Sequence, residues 1–104
     1  NTDICKGGGI SEGMKIASLA NVFHKQVVAH NTKPALATAA TLHVLASIPN
    51  AGPFVEYIDR DRFPTVISMF DEDVRFEDGY LYLPEAPGLG PVMNEKRLEK
   101  TFNS

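Results

Sequence analysis

The stretch Val27-Val28-Ala29-His30-Asn31-Thr32-Lys33-Pro34, running into Ala35-Leu36-Ala37-Thr38-Ala39-Ala40, decides the fold. Three consecutive apolar residues predict a short strand covered on both faces. The polar run from His30 to Pro34 predicts a loop. Residues 35–47 are rich in Ala and Leu and predict a helix. Residues 48–53 hold two prolines and a glycine and should end it. Phe54-Val55-Glu56-Tyr57-Ile58 then predicts a further strand. Upstream the pattern repeats. Asp3-Ile4-Cys5 is a short stub at the end of a strand, and residues 6–9 form a glycine-rich turn. Ser11 is expected to cap a helix running to about Phe23, with Glu12 in its first turn. Met14, Ala17, Ala20 and Val22 or Phe23 would form its apolar stripe. Strand, helix, strand, helix, strand over about sixty residues predicts parallel βαβ units, an α/β fold.

Beyond Asp59 the character changes. The charged run Asp59-Arg60-Asp61-Arg62 leads into a less regular segment. Asp78-Gly79, between Arg75-Phe76 and Tyr80-Leu81-Tyr82, predicts a β-hairpin. Residues 84–91, with three prolines and two glycines, predict an extended loop. Asn94 can cap a last helix through about Leu98. The chain therefore divides into residues 1–60, alternating strands and helices, and residues 61–104, a hairpin and loop tail.

Composition excludes several classes. The chain has 104 residues, is 43% hydrophobic and 22% charged, and carries a net charge of −3. That is an ordinary globular composition, with no basic surface to track a phosphate backbone, so no nucleic-acid partner is expected. No run of about eighteen apolar residues exists to cross a membrane, and no signal-peptide pattern opens the sequence. Cys5 is the one cysteine. It offers no internal disulfide and no thiolate cluster, which fits a cytoplasmic protein, and its expected place is a small buried apolar site. The chain opens on Asn1 and enters a strand almost at once, so it is expected to be a piece of something longer.

Three polar residues fall where strands meet their loops: Asp3, His30 and Glu56. In parallel barrels such positions gather on one rim. An Asp–His pair there would fix an imidazole tautomer and raise its basicity. Ordinary loop polarity and a helix-capping acid explain the same residues. Gly7-Gly8-Gly9 lacks the spacing of the nucleotide-binding motifs and reads as a tight strand-to-helix turn. His24 is expected to be solvated, His43 to pack within its helix or be capped by a neighbour, and Asp71-Glu72-Asp73 to be an exposed acidic loop. The histidines are not spaced as a metal site.

Four motifs together resemble the mandelate racemase group of the mandelate racemase/muconate lactonizing enzyme family, in the enolase superfamily. Asp3-Ile4-Cys5-Lys6-Gly7-Gly8-Gly9-Ile10-Ser11-Glu12 resembles the end of the sixth barrel strand and its turn. Val28-Ala29-His30-Asn31 resembles the seventh strand, which ends in a catalytic His. Phe54-Val55-Glu56-Tyr57 resembles the eighth, which carries a Glu. Leu83-Pro84-Glu85-Ala86-Pro87-Gly88-Leu89-Gly90 resembles a Pro-Gly-Leu-Gly segment near the family's C-terminus.

The resemblance implies the C-terminal part of a (β/α)7β barrel, followed by a return segment that packs on a capping domain. It implies abstraction of the proton α to a carboxylate, giving an enediolate held by Mg²⁺. His30 would be the general acid/base, Asp3 its orienting partner, and Glu56 a protonated acid donating a hydrogen bond to the substrate carboxylate. The family's Mg²⁺ ligands lie on its third to fifth strands and a Lys base on its second, so no metal is expected in this chain. The expected parent is an acid-sugar dehydratase, with a racemase or epimerase of an α-substituted carboxylate as the alternative. Lys6 leaves room for the cycloisomerase group, which places a Lys on the sixth strand. The isolated chain is expected to be inactive. Val27-Val28-Ala29 and Phe54-Val55-Glu56-Tyr57 are expected to be open strand edges that drive homo-oligomer formation, so a non-catalytic oligomerising module is the rival from another class.

Overall fold

The computed structural model describes residues 1–103. Ser104, the last residue of the expected tail, lies outside the described residues. Three extended stubs run parallel. Thr2 bridges Ala29, and Val27 bridges Ala51. The His30 amide donates to the Thr2 carbonyl at 2.9 Å, and the Gly52 amide to the Val27 carbonyl at 2.8 Å. Residues 27–29 are therefore the central strand, with a neighbour on each side, and not the open edge expected from the sequence. Their apolar character follows from this place: Val27 and Ala29 are buried. The chain is thus an α/β fold built of crossover units, and a complete barrel is not present in it.

Helix α1 (Ile10–Val22) makes the first crossover and α2 (Leu36–Ser47) the second. The cap of α1 is Gly9, not Ser11. Gly9 has φ 88°, in the region that glycine enters without steric penalty, and its carbonyl receives the first intrahelical bond, from the Gly13 amide at 3.0 Å. Ser11 is exposed within the first turn. A Cβ on Gly13 would come within 2.8 Å of Ile4 Cδ1, so this glycine allows α1 to lie close over the first stub.

Helix α2 has no single apolar stripe because it is covered on nearly all sides: Thr38, Ala39, Ala40, Thr41, Leu42 and Val44 are all buried. One face joins Val44 to Ile4 and Ala29, with Met14 and Leu45 against them. The other joins Ala39 and Leu42 to Val74, with Val55, Leu81 and Leu89 against them. The second cluster fastens the tail to the crossover units. His43 Nε2 lies 3.1 Å from the Leu89 carbonyl and adds to that joint.

The strand expected over residues 54–58 does not form as such. Pairing starts earlier, at Ala51, and residues 54–58 are extended without a ladder. The Asn31 amide, which could continue the ladder, donates instead to the Glu56 carboxylate. Cys5 is exposed, contrary to expectation, and Ile4 takes the buried place at 2% exposure. The chain turns directly after Ile4, so Cys5 lies on the outside of the bend.

The tail is built of short, local elements. A 3-10 turn (Arg60–Arg62) and α3 (Pro64–Ser68) lead to β1 (Phe70–Glu72), which pairs antiparallel with β4 (Val92–Met93). The hairpin of β2 (Phe76–Glu77) and β3 (Tyr80–Leu81) turns at Asp78 and Gly79, both with φ above +50°. That is the type I′ geometry expected for Asp-Gly. Helix α4 (Glu95–Phe102) is longer than expected and is capped by Asn94, whose Oδ1 accepts from the Arg97 amide at 3.1 Å. Asn94 Nδ2 donates to Asp71 at 3.0 Å, tying α4 to β1.

Candidate active site

Two of the three expected site residues meet. His30, just past the central strand, places Nδ1 2.6 Å from Glu56 Oε2. The side chains are 37% and 44% exposed, so the pair opens to solvent and to any ligand. With Nδ1–H donating to the carboxylate, Nε2 is left as the acceptor. Glu56 Oε2 also accepts from the Asn31 amide at 2.8 Å. Glu56 Oε1 has no hydrogen-bond partner among the described residues.

Asp3 is placed on the same rim, one residue after the Thr2 carbonyl that holds the His30 amide. Its carboxylate does not reach the imidazole. Oδ1 accepts from the Lys6 amide at 2.9 Å, and Oδ2 lies 3.8 Å from Lys6 Nζ. The tight turn after Ile4 brings the Lys6 amide back over Asp3 and uses its side chain locally. The Lys6 amide lowers the Asp3 pKa, with partial burial opposing and Lys33 assisting. The pairing expected between Asp3 and His30 is therefore replaced by Glu56 and His30.

The sequence reading missed Asn31 and Thr38. Asn31 is 4% exposed. Its Nδ2 donates to Thr38 Oγ1 at 3.0 Å and to the Glu56 carbonyl at 3.2 Å. Thr38 donates in turn to the Lys33 carbonyl at 2.8 Å. An Asn next to a candidate catalytic His, followed by a Thr in the first turn of the next helix, was the available signal. Tyr57 stacks on Phe76 with ring centroids 4.7 Å apart, so the hairpin braces the residue beside Glu56. Burial raises the Tyr57 pKa.

The remaining candidates stand apart. His24 is exposed at the end of α1. The Gly7 and Gly9 amides donate to the Asp3 and Ile4 carbonyls, so the glycine run is a strand-to-helix turn. Of the acidic run, Asp71 and Glu72 are exposed, but the Asp73 side chain is only 6% exposed and lies 3.5 Å from Arg60. A cleft of about 530 Å³ among Glu72, Arg75, Tyr82 and Glu85 shares no residue with the His30 site. Among the described residues no group of three His, Cys, Asp or Glu side chains could hold a metal ion, and no helix is long and apolar enough to cross a membrane.

Comparison with known proteins places the chain in a family. D-xylonate dehydratase of Haloferax volcanii is 32% identical over 97 residues, covering 93% of this chain and 23% of that protein. Arabinonate dehydratase of Saccharolobus solfataricus is 30% identical over 100 residues, covering 95% and 26%. The chain thus spans about a quarter of the length of these curated relatives. A mandelate racemase/muconate lactonizing protein from Paracoccus denitrificans, solved in complex with magnesium, superposes with a TM-score of 0.76 at 36% identity, over 89% of this chain and 24% of that one. A mandelate racemase/muconate lactonizing enzyme from Jannaschia superposes with a TM-score of 0.74 at 35% identity, over 89% and 23%. The enolase C-terminal domain-like family matches residues 1–97, and the chain belongs to that family, within the mandelate racemase/muconate lactonizing branch of the enolase superfamily.

Proposed function

We propose that this chain supplies the acid/base end of an active site that dehydrates acid sugars, with His30 as the group that moves the proton. The observation that carries the reading is the 2.6 Å contact between His30 Nδ1 and Glu56 Oε2, which leaves Nε2 free to act as the base on a side chain that is 37% exposed. Neutral His30 takes the proton α to the substrate carboxylate, and the C–H electron pair enters the enediolate. The imidazolium then returns the proton to the β-hydroxyl, which leaves as water while the C=C bond forms. The resulting enol ketonises. General acid–base catalysis of this kind contributes about 10²–10⁴-fold.

Glu56 carries two tasks in this reading. Oε2 holds the imidazole, and Oε1, when protonated, donates to the substrate carboxylate. A carboxyl that stays neutral beside a substrate anion is physically reasonable. Asp3, held by Lys6, keeps negative charge on the same rim and supports the imidazolium. The dehydratase names of the two curated relatives described above support the choice of substrate. A racemase or epimerase would share the first proton transfer and lack the loss of water.

Among the described residues no cluster of His, Cys, Asp or Glu fits a magnesium site. In the longer enzyme, Mg²⁺ would stabilise the enediolate from ligands outside these 104 residues, and the isolated chain would be inactive. Residues 61–104 would be the return segment that packs on a capping domain. Exposed Leu19, Val22, Phe23 and Phe54 support association into homo-oligomers. The test is exchange of the substrate α-hydrogen with D₂O in the enzyme that contains this segment. His30→Asn is expected to slow exchange by about 10²–10⁴-fold with substrate binding retained. Exchange at the unmodified rate would remove His30 from the mechanism.

A further inference from the structure

We propose that Asn31 is the positioning residue that sets the distance between His30 and Glu56; this rests on the reading of that pair as the acid/base site. Residues 54–58 have no strand ladder, so no backbone neighbour fixes the register of Glu56. Asn31 does this from the adjacent loop. Its amide donates to Glu56 Oε2 at 2.8 Å and its side-chain Nδ2 to the Glu56 carbonyl at 3.2 Å. One residue, covalently next to His30, therefore holds both the backbone and the carboxylate of residue 56.

The second Nδ2 hydrogen is used as well, on Thr38 Oγ1 at 3.0 Å, and the Thr38 hydroxyl continues to the Lys33 carbonyl at 2.8 Å. Asn31 and Thr38 are 4% and 2% exposed, whereas the pair they support is open. This is a buried post beneath an exposed reactive pair. The chemistry of the post is specific. Two N–H donors on a short side chain reach both acceptors at once. Asp at the same position has similar size but its carboxylate presents only acceptors, which would oppose the Glu56 carbonyl and lose the bond to Thr38, while the backbone amide of residue 31 still reaches the Glu56 carboxylate.

The prediction is read on the His30 ring in the full chain carrying ¹⁵N-labelled histidine. In the wild type the Nδ1–H resonance is slowed in its exchange with water by the Glu56 carboxylate. Glu56→Gln removes the charged acceptor and should speed that exchange. Asn31→Asp should speed it by about tenfold with the Glu56 carboxylate still present, the scale of one lost hydrogen bond. Thr38→Ser, which keeps the hydroxyl, should leave it within about twofold. The methyl resonances of Ile4 and Val44 report the fold in each variant. If Asn31→Asp alters them, Asn31→Ser, which loses only the two Nδ2 bonds, decides the question in its place. Exchange unchanged in the Asn31 variant but accelerated in Glu56→Gln would overturn the role of Asn31 and leave the pair intact. Exchange unchanged in Glu56→Gln would overturn the pair itself.

Discussion

Residues 1–58 and residues 60–103 are held together by different means. The first region rests on side chains buried far from their sequence neighbours, Ile4 against Ala29 and Val44, while Ala39 and Leu42 join it to Val74 of the second. Its strands meet only at isolated bridges. The second region rests on local chemistry: an Asp-Gly turn, an Asn cap, and two pairs of two- and three-residue strands. The His30–Glu56 pair sits where the two meet. Glu56 comes late in the first region and is braced by Asn31 on one side and, through Tyr57 and Phe76, by the hairpin on the other. Long-range burial thus places the site, and local turns support it.

The largest effect expected from breaking this contrast is in the first region. Ile4→Ala empties a fully buried position and should destabilise the chain by about 2–5 kcal/mol. Denaturant titration followed by circular dichroism would measure it, and loss should be global because Ile4 joins α1, α2 and the central strand. Next is Gly90→Ala. Gly90 has φ 105°, and a Cβ there would overlap the Pro84 ring. Destabilisation of about 1–3 kcal/mol is expected, read as faster hydrogen exchange of the tail ahead of the first region.

Asn94→Ala should be smaller, about 1 kcal/mol, and confined to fraying of α4 in the same exchange experiment. Equal loss of protection in α2 would contradict the separation of the two regions. The smallest effect expected is one of pH. The folded Asp3 pKa is lowered, chiefly by the Lys6 amide. Its contribution to stability is therefore present above the unfolded value of about 3.9 and is lost as pH falls through the lower folded value. Asp3→Asn should flatten the pH dependence of stability in that acid window and leave it unchanged near neutrality.

The same contrast explains what could be read from the sequence. The hairpin at Asp78-Gly79 and the Asn94 cap were legible because a few adjacent residues determine them. Both crossover helices were legible from composition and periodicity. The strand at residues 54–58 was not, because a ladder depends on a partner, and the partner amide of Asn31 is taken by a side chain. Which strand lies in the centre was also hidden, since Val27-Val28-Ala29 reads as apolar whether it is flanked or open. At the site, His30 and Glu56 were legible as polar residues closing apolar stretches. That Glu56 and not Asp3 touches the imidazole was not, because the turn that commits Asp3 to Lys6 is a matter of backbone geometry. The family match shows the fold to which this chain belongs, and the hydrogen bonds show which side chains meet around His30.

The most direct test compares the two carboxylates through their effect on substrate α-hydrogen exchange in D₂O. In the enzyme containing this segment, Glu56→Gln should slow exchange nearly as far as His30→Asn, and the double variant should be little worse than either, because the two side chains act as one unit. Asp3→Asn should retain most of the rate. An Asp3→Asn enzyme as slow as His30→Asn, beside a Glu56→Gln enzyme that exchanges normally, would contradict the pairing of His30 with Glu56.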